Sequence, residues 1–193
     1  MQDLSKTRKR ISHYLTETPV NLIAKTGVSP NTLTIIGFIL SAMAAVLVAR
    51  GLFIAAGVTI LVAGLFDMLD GALARKTNRT TRFGAFLDSL LDRLSEGLLF
   101  LAIIFNFAKT GQTNYILIGA ATLLVTQLVS YSRARAEAIG IECEVGFFTR
   151  AERVIVLAIG FLINQLEIIL VIILIFSLIS LIQRIITTLR KTR

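Results

Sequence analysis

The sequence predicts an all-α integral membrane protein with six transmembrane helices, preceded by an amphipathic segment at the membrane interface. Hydrophobic residues make up 55% of the 193 residues, and the mean hydropathy is +0.79. Both values are typical of a chain that lies largely in lipid. The charged residues gather in short clusters between long apolar segments, which is the pattern of a multi-pass protein. The length favours a single domain over residues 1–193.

The individual elements follow from where polar and apolar segments alternate. Residues 1–28 mix basic and apolar side chains, so we expect an interfacial segment there, on an anionic membrane surface. Residues 29–189 predict a six-helix bundle. Pro30 suits the first turn of its first helix, because that position needs no backbone N–H donor. The predicted spans begin at Ser29, near Leu52, near Phe83, at Tyr115, near Phe147 and at Ile168.

The charge distribution predicts an orientation. A net charge of +8 could indicate a nucleic-acid partner, but the clusters between apolar spans argue against one. Basic residues concentrate before residue 26, over 75–82, over 133–153 and from 184 onwards, whereas only Arg50 and Lys109 lie between the other spans. The positive-inside rule then places both termini on the cytoplasmic side of the cell membrane.

Four aspartates stand out within the apolar segments. Asp67 and Asp70 are spaced i, i+3, and Asp88 and Asp92 are spaced i, i+4, so each pair would share one helix face. The polar, basic residues 76–83 between the pairs are numerous enough to reverse the chain. Two antiparallel helices would then direct four carboxylates into one space, on the cytoplasmic side.

Divalent cations give a physical reason for these carboxylates. A charged residue at the centre of a membrane helix costs about 2.5–3.5 kcal/mol, and four carboxylates match the charge of two Mg²⁺ or Mn²⁺ ions, which favour oxygen ligands. Paired metals of this kind assist phosphoryl transfer. One alternative is a set of structural ion pairs with Arg75, Arg82 and Arg93. Another is a cation- or proton-coupled transporter, whose carboxylates would be expected nearer the bilayer midplane.

The spacing carries a specific resemblance. The pattern D-x2-D-G-x2-A-R-x8-G-x3-D-x3-D resembles the signature of the CDP-alcohol phosphotransferase family. Every fixed position is matched in this sequence, so an inactive member that serves as a structural subunit is disfavoured. The matched residues are Asp67, Asp70, Gly71, Ala74, Arg75, Gly84, Asp88 and Asp92.

The resemblance implies a reaction and roles for particular residues. An alcohol attacks the lipid-side phosphate of a CDP-linked lipid, and CMP leaves. Asp67, Asp70 and Asp88 would be metal ligands, while Asp92 would complete the second metal's shell and act as general base. The family's CDP-lipid site is implied for Pro30, Asn31, Thr34, Gly71, Arg75 and Thr81. Related enzymes are homodimers, and the resemblance implies the same here.

The acceptor is predicted from the basic residues of the later spans. Arginine forks suit phosphate, so we expect a phosphorylated alcohol, although a positive-inside boundary would explain some of the residues. The run Ser130–Glu137 resembles that of bacterial phosphatidylinositol phosphate synthases, with Arg133 where lysine is common. Inositol phosphate is the favoured acceptor, ahead of glycerol 3-phosphate and an uncharged alcohol such as serine or choline. The predicted phosphate-binding residues are Arg133, Arg135, Arg150, Arg153 and Arg184.

Overall fold

A computed structural model of the protein describes residues 19–143 and 145–192, which form helices joined by turns and one longer connector. Most of the predicted interfacial segment lies outside the described residues. Within it, residues 19–25 are helical, and we call this piece α1. The other helices are α2 (Pro30–Ala49), α3 (Phe53–Lys76), α4 (Arg82–Lys109), α5 (Thr113–Ala138), α6 (Arg150–Leu162) and α7 (Leu166–Lys191). The all-α prediction is confirmed.

Side-chain caps fix where two of these helices begin. The hydroxyl of Ser29 accepts a hydrogen bond from the backbone N–H of Thr32 at 3.2 Å, with Pro30 in the first turn of α2. The hydroxyl of Thr81 accepts one from the backbone N–H of Gly84 at 2.9 Å. Both bonds satisfy an N–H that has no partner inside its own helix. The register of the first turns of α2 and α4 is therefore set by local sequence.

The described residues divide into two compact units. The first comprises residues 19–40 and 62–94 of the described chain. Its core contains Val20 of α1, Leu33 of α2 and Leu73 of α3, all of which are buried. Phe66 of α3 packs against this cluster from its edge. The apolar contacts hold the C-terminal half of α3, which carries Asp67 and Asp70, against α1 and the start of α2.

The second unit comprises residues 41–61, 95–143 and 145–192 of the described chain. Fully buried side chains from three helices form the centre of its core: Ile103 of α4, Phe161 of α6 and Ile173 of α7. The ring of Phe53 stacks on that of Phe161, with 6.2 Å between centroids. α6 is thereby fixed by packing on several sides, although it is only 13 residues long.

Among the described residues, four helices are long and apolar enough to cross a membrane: α2, α3, α5 and α7, with mean hydropathies of 2.4, 1.8, 1.5 and 2.7. Their large exposed apolar side chains, such as Ile39 of α2 and Ile182 of α7, are those expected of a lipid-facing surface. α4 carries Asp88, Asp92 and further charged residues along its length. α6 would extend only about 20 Å at 1.5 Å per residue. The six-span topology stays a prediction.

The contact between α6 and α7 depends on a glycine. A Cβ added to Gly160 would lie 2.8 Å from both γ carbons of Ile169 and 2.9 Å from its Cβ, so rotation of the isoleucine cannot relieve the clash. We expect Gly160→Ala to destabilise the protein by about 1–3 kcal/mol, as overpacking commonly does. Thermal unfolding in detergent would measure this change.

Gly97→Ala is the matched control for this substitution. A Cβ at Gly97 of α4 would meet only the Nε2 atom of Gln127, at 4.0 Å. Because alanine is the better helix former by about 1 kcal/mol, we expect Gly97→Ala to be neutral or stabilising. An equal loss of stability in both variants would show that the α6–α7 contact is not the cause.

Candidate metal centre and catalytic site

Three of the four predicted carboxylates come together in the first unit. One carboxylate oxygen each from Asp67, Asp70 and Asp88 lies within 4.8 Å of the other two. The first two residues are on α3 and the third is on α4, and the turn 77–81 joins the helices. Asn78, with φ of 53°, adopts the left-handed conformation that asparagine tolerates better than most residues. The prediction that two helices direct these carboxylates into one space is confirmed for these three residues.

Asp70 is the most buried member of this trio, with 5% of its surface exposed. Its side chain is hydrogen-bonded to that of Thr34. Its Oδ2 atom is buried and has no hydrogen-bond partner among the described residues. A buried carboxylate oxygen without a partner is costly, and two further carboxylates beside it add repulsion. A bound cation would offset both of these unfavourable contributions.

The chemistry of the trio fits a divalent metal. Opposite ligands of one Mg²⁺ lie about 4 Å apart and those of one Ca²⁺ about 5 Å apart, because the bonds to oxygen are about 2.0–2.1 and 2.3–2.6 Å long. The 4.8 Å limit of the trio is close to these spans. Since carboxylates, and neither histidine nor thiol, make up the group, a hard cation such as Mg²⁺ or Mn²⁺ suits it.

Asp92 is placed differently from the other three aspartates. It lies four residues after Asp88 on α4 and is half-buried, so the two side chains share one face of the helix. The trio defined above does not include it. Three carboxylates therefore form a compact group, and the fourth lies one helical turn further along α4.

The predicted CDP-lipid residues all belong to the first unit, and several contact one another. A Cβ on Gly84 would lie 3.0 Å from the Oδ1 atom of Asn31 and 3.0 Å from the Oγ1 atom of Thr81. The glycine thus allows the side chain of Asn31 on α2 to approach the start of α4. A Cβ on Gly71 would lie 3.4 Å from the Nη1 atom of Arg75, so this guanidinium folds back beside that glycine.

Two of these residues also have structural tasks. Sequence reasoning did not identify Thr81 as the cap of α4, although a threonine before an apolar helix is the usual signal. The hydroxyl of Thr34 is 3.2 Å from the carbonyl oxygen of Pro30 and also bonds Asp70. Pro30 itself is buried. Their predicted contacts with CDP-lipid stay predictions.

The predicted phosphate-binding arginines fall into two classes. Arg133 and Arg135 are exposed on α5, and the Nε atom of Arg133 is 2.8 Å from a carboxylate oxygen of Glu137. That pair is exposed and spaced i, i+4, so it contributes little to stability. Arg150, in the first turn of α6, is half-buried.

Arg153 and Arg184 are almost fully buried and have partners within the second unit. The Nε and Nη2 atoms of Arg153 donate to the two carboxylate oxygens of Glu96 at 2.6 and 3.0 Å. Arg184 donates from Nε to the carbonyl oxygen of Val145 at 3.0 Å and from Nη1 to that of Val129. Their roles toward an acceptor stay predictions.

The pairing of Glu96 with Arg153 was not predicted from the sequence. Glu96 is buried, and its carboxylate accepts two hydrogen bonds from Arg153. The signal for its partner was indirect: a glutamate in an apolar helix needs a cation, but several arginines were available. Arg93, on the same helix, donates to the backbone carbonyl of Ser89.

Comparison with known proteins gives consistent matches. Residues 27–187 match the family described as CDP-alcohol phosphatidyltransferase. The chain is 38% identical over 183 residues to the archaetidylinositol phosphate synthase of Pyrococcus horikoshii, and the alignment covers 94% of each protein.

Two solved structures extend this similarity to three dimensions. A crystal structure of phosphatidylinositol phosphate synthase from Mycobacterium tuberculosis with CDP-DAG bound matches with a TM-score of 0.82 and 31% identity, over 90% of this chain and 92% of that one. The same synthase in complex with manganese and citrate matches with a TM-score of 0.82 and 31% identity, over 90% and 88% of the two chains.

Proposed function

The chain belongs to the CDP-alcohol phosphatidyltransferase family, and we propose that it transfers the lipid-phosphate group of a CDP-linked lipid to an inositol phosphate, with release of CMP. The observation that carries this proposal is the trio of carboxylates on α3 and α4, together with the buried oxygen of Asp70 that has no hydrogen-bond partner in the described part of the chain. Such a site suits an anionic pyrophosphate bound through metal ions. The transporter alternative has no support from the family match.

We assign the metal-binding role to Asp67, Asp70 and Asp88, with Asp92 completing the shell of a second ion. When bound, Mg²⁺ or Mn²⁺ would neutralise the carboxylates and stabilise negative charge on the pyrophosphate. The manganese in the M. tuberculosis relative supports this assignment.

Asp92 is also the proposed general base. Its carboxylate takes the proton from the acceptor hydroxyl as the hydroxyl oxygen bonds to the lipid-side phosphorus. The bond from that phosphorus to the bridging oxygen breaks, and CMP leaves with the electron pair. Its place outside the compact trio suits a carboxylate that meets the acceptor hydroxyl.

We assign binding of the nucleotide end of the donor to residues around the trio. The donors are the amide of Asn31 and the hydroxyl of Thr34 on α2 and the guanidinium of Arg75 on α3, which lies beside the small residue Gly71. Such groups suit phosphate and ribose oxygens. Pro30 and Thr81 would shape the same site from the starts of α2 and α4. The CDP-DAG held by the M. tuberculosis relative supports a CDP-linked lipid as donor.

Inositol phosphate is the proposed acceptor because the named relatives agree on it. The synthases of P. horikoshii and M. tuberculosis differ in the lipid that their names give, archaetidyl or phosphatidyl, yet share inositol phosphate. Phosphate recognition requires cations, which the second unit provides on α5, α6 and α7. The proposed set is the five arginines at positions 133, 135, 150, 153 and 184.

A panel of acceptors tests this proposal. Purified protein with a CDP-linked lipid and Mg²⁺ is offered inositol phosphate, glycerol 3-phosphate, free inositol or serine, and the rate of CMP release is measured. We expect the highest kcat/KM with inositol phosphate and little release with the uncharged alcohols, which lack the phosphate contact. Faster release with glycerol 3-phosphate would change the acceptor, and preferential use of free inositol would contradict a phosphate pocket.

We further propose that the protein is a homodimer in the cell membrane. All six helices α2–α7 would be inserted in the membrane, with the trio on the cytoplasmic side. Cysteine labelling tests the orientation in a Cys143→Ala background, since Cys143 is the only native cysteine. Cysteines at the exposed positions Arg79 and Arg190 should resist an impermeant reagent added outside intact cells, because the basic segments face inward. A cysteine at exposed Thr113 should be labelled.

Lysed cells provide the control, because all three cysteines should then react. Labelling of position 79 in intact cells would overturn the orientation and, with it, a cytoplasmic site.

A further inference from the structure

The ion pair between Glu96 and Arg153 is almost fully buried. It joins α4 to α6 through two hydrogen bonds, and its side chains are 6% and 2% exposed respectively. A buried ion pair is often no more stabilising than apolar residues of similar volume. Its presence in a largely apolar unit therefore calls for a reason other than stability.

The start of α6 points to that reason. Arg150 and Arg153 lie in the first two turns, where the positive end of the helix dipole disfavours cations. Glu152 accepts a hydrogen bond from the backbone N–H of Thr149 at 2.8 Å, forming a capping box that fixes the register of this turn. Two arginines are thus held at a helix end that already attracts anions.

A small cavity with a mostly apolar lining lies beside the pair within the second unit. Its volume is about 20 Å³, which is room for about one water molecule. The polar part of its lining comes from Ser41, Ser95, Glu96, Arg150 and Arg153. Both arginines at the start of α6 therefore border the same space as the carboxylate of Glu96.

The hydrogen bonds to Glu96 use only some of the N–H donors of Arg153. A guanidinium carries five N–H donors in a rigid plane, and the carboxylate of Glu96 engages one on Nε and one on Nη2. A side chain fixed in this way has already lost its rotamer freedom on folding, so a ligand does not have to order it.

We propose that Glu96 is a positioning residue, which holds the guanidinium of Arg153 so that its remaining donors meet the phosphate of the acceptor. The proposal rests on the acceptor phosphate site described under the proposed function. Glu96 touches no substrate itself and acts through Arg153. Removing its carboxylate should therefore weaken acceptor binding while leaving the CDP-linked lipid unaffected.

Steady-state kinetics of Glu96→Gln provide the test, with CMP release measured while each substrate is varied in turn. We expect the KM for inositol phosphate to rise at least about tenfold, the value of one charge-assisted contact, with the KM for the CDP-linked lipid within about twofold of the parent. In an Arg153→Ala background the same change should add less than about twofold, because Glu96 acts through that arginine. Glu167→Gln, in the first turn of α7, is the matched control for loss of one carboxylate.

The charge-swapped protein Glu96→Arg with Arg153→Glu separates positioning from a structural lock, and it serves if Glu96→Gln does not fold. It can re-form the ion pair but moves the cation to the other helix. We expect a folded protein, by thermal unfolding in detergent, whose KM for inositol phosphate stays at least about tenfold raised. Parent kinetics in the swapped protein, equal rises in both KM values, or an unchanged KM in Glu96→Gln would each overturn the proposal.

These outcomes differ from failure of the proposed function. If the parent protein released CMP with glycerol 3-phosphate alone, the same variants would be measured with that acceptor, and the same KM split would support the positioning role. If the parent released no CMP with any phosphorylated alcohol, the proposed function would fail, and the positioning role with it.

Discussion

Removal of divalent cations by excess chelator is expected to abolish CMP release, and added Mg²⁺ or Mn²⁺ to restore it. Asp67, Asp70 and Asp88 bring three carboxylate oxygens within 4.8 Å, and one oxygen of Asp70 lacks a partner among the described residues. Without a cation this group would repel the pyrophosphate of the donor instead of binding it. The measurement is the initial rate of CMP release across a titration of metal into chelated protein.

Two controls make the metal result decisive. Thermal unfolding in chelator should show that the protein stays folded, so that loss of activity reflects the site. Asp70→Asn removes one charge from the trio, and we expect it to require a higher metal concentration for half-maximal rate. Full activity in excess chelator would contradict the metal-centre interpretation.

Asp92→Asn is expected to lower kcat by at least about 10², the lower range for loss of a general base. The substitution keeps the size of the side chain and removes its ability to take the acceptor's proton. Because Asp92 lies outside the compact trio, binding of the CDP-linked lipid should survive better than in Asp67→Asn. Single-turnover CMP release and equilibrium binding of the lipid would separate the two effects.

Glu167→Gln again provides a carboxylate-to-amide control, since it lies at the start of α7, and its kinetics should match the parent. A near-parent kcat in Asp92→Asn would rule out the base assignment. Equal losses of lipid binding in Asp92→Asn and Asp67→Asn, with no further loss of kcat in Asp92→Asn, would leave Asp92 a metal ligand without the role of base.

The helices were predictable because long apolar segments separated by short polar ones leave few alternatives. The ends were less predictable, because a helix does not stop where it leaves the membrane. The apolar segments of the fourth and sixth spans end near Ser132 and Gln183, yet α5 continues to Ala138 and α7 to Lys191. In α5 the exposed pair of Arg133 and Glu137 lies on this continuation.

The grouping of Asp67, Asp70 and Asp88 was predictable because spacing puts each pair of aspartates on one helix face and the polar residues 76–83 reverse the chain between the pairs. The separation of Asp92 was not, since it depends on how far α4 lies from α3 at each turn. The partner of Arg153 was also beyond sequence pattern. Glu96 is 57 residues away, and only the packing of α4 against α6 selects it among the available carboxylates. Arg184 likewise contacts two backbone carbonyls that no side-chain pattern could reveal.

The most direct test of the central claim follows the phosphorus atom through the reaction. The CDP-linked lipid is labelled with ³²P in its lipid-side phosphate and incubated with purified protein, Mg²⁺ and inositol phosphate. If the chain transfers a lipid-phosphate group, all of the label appears in a lipid product that also contains the inositol phosphate, and unlabelled CMP is released in equal amount. Label in the water-soluble nucleotide, or labelled phosphatidic acid formed equally well without acceptor, would contradict the account.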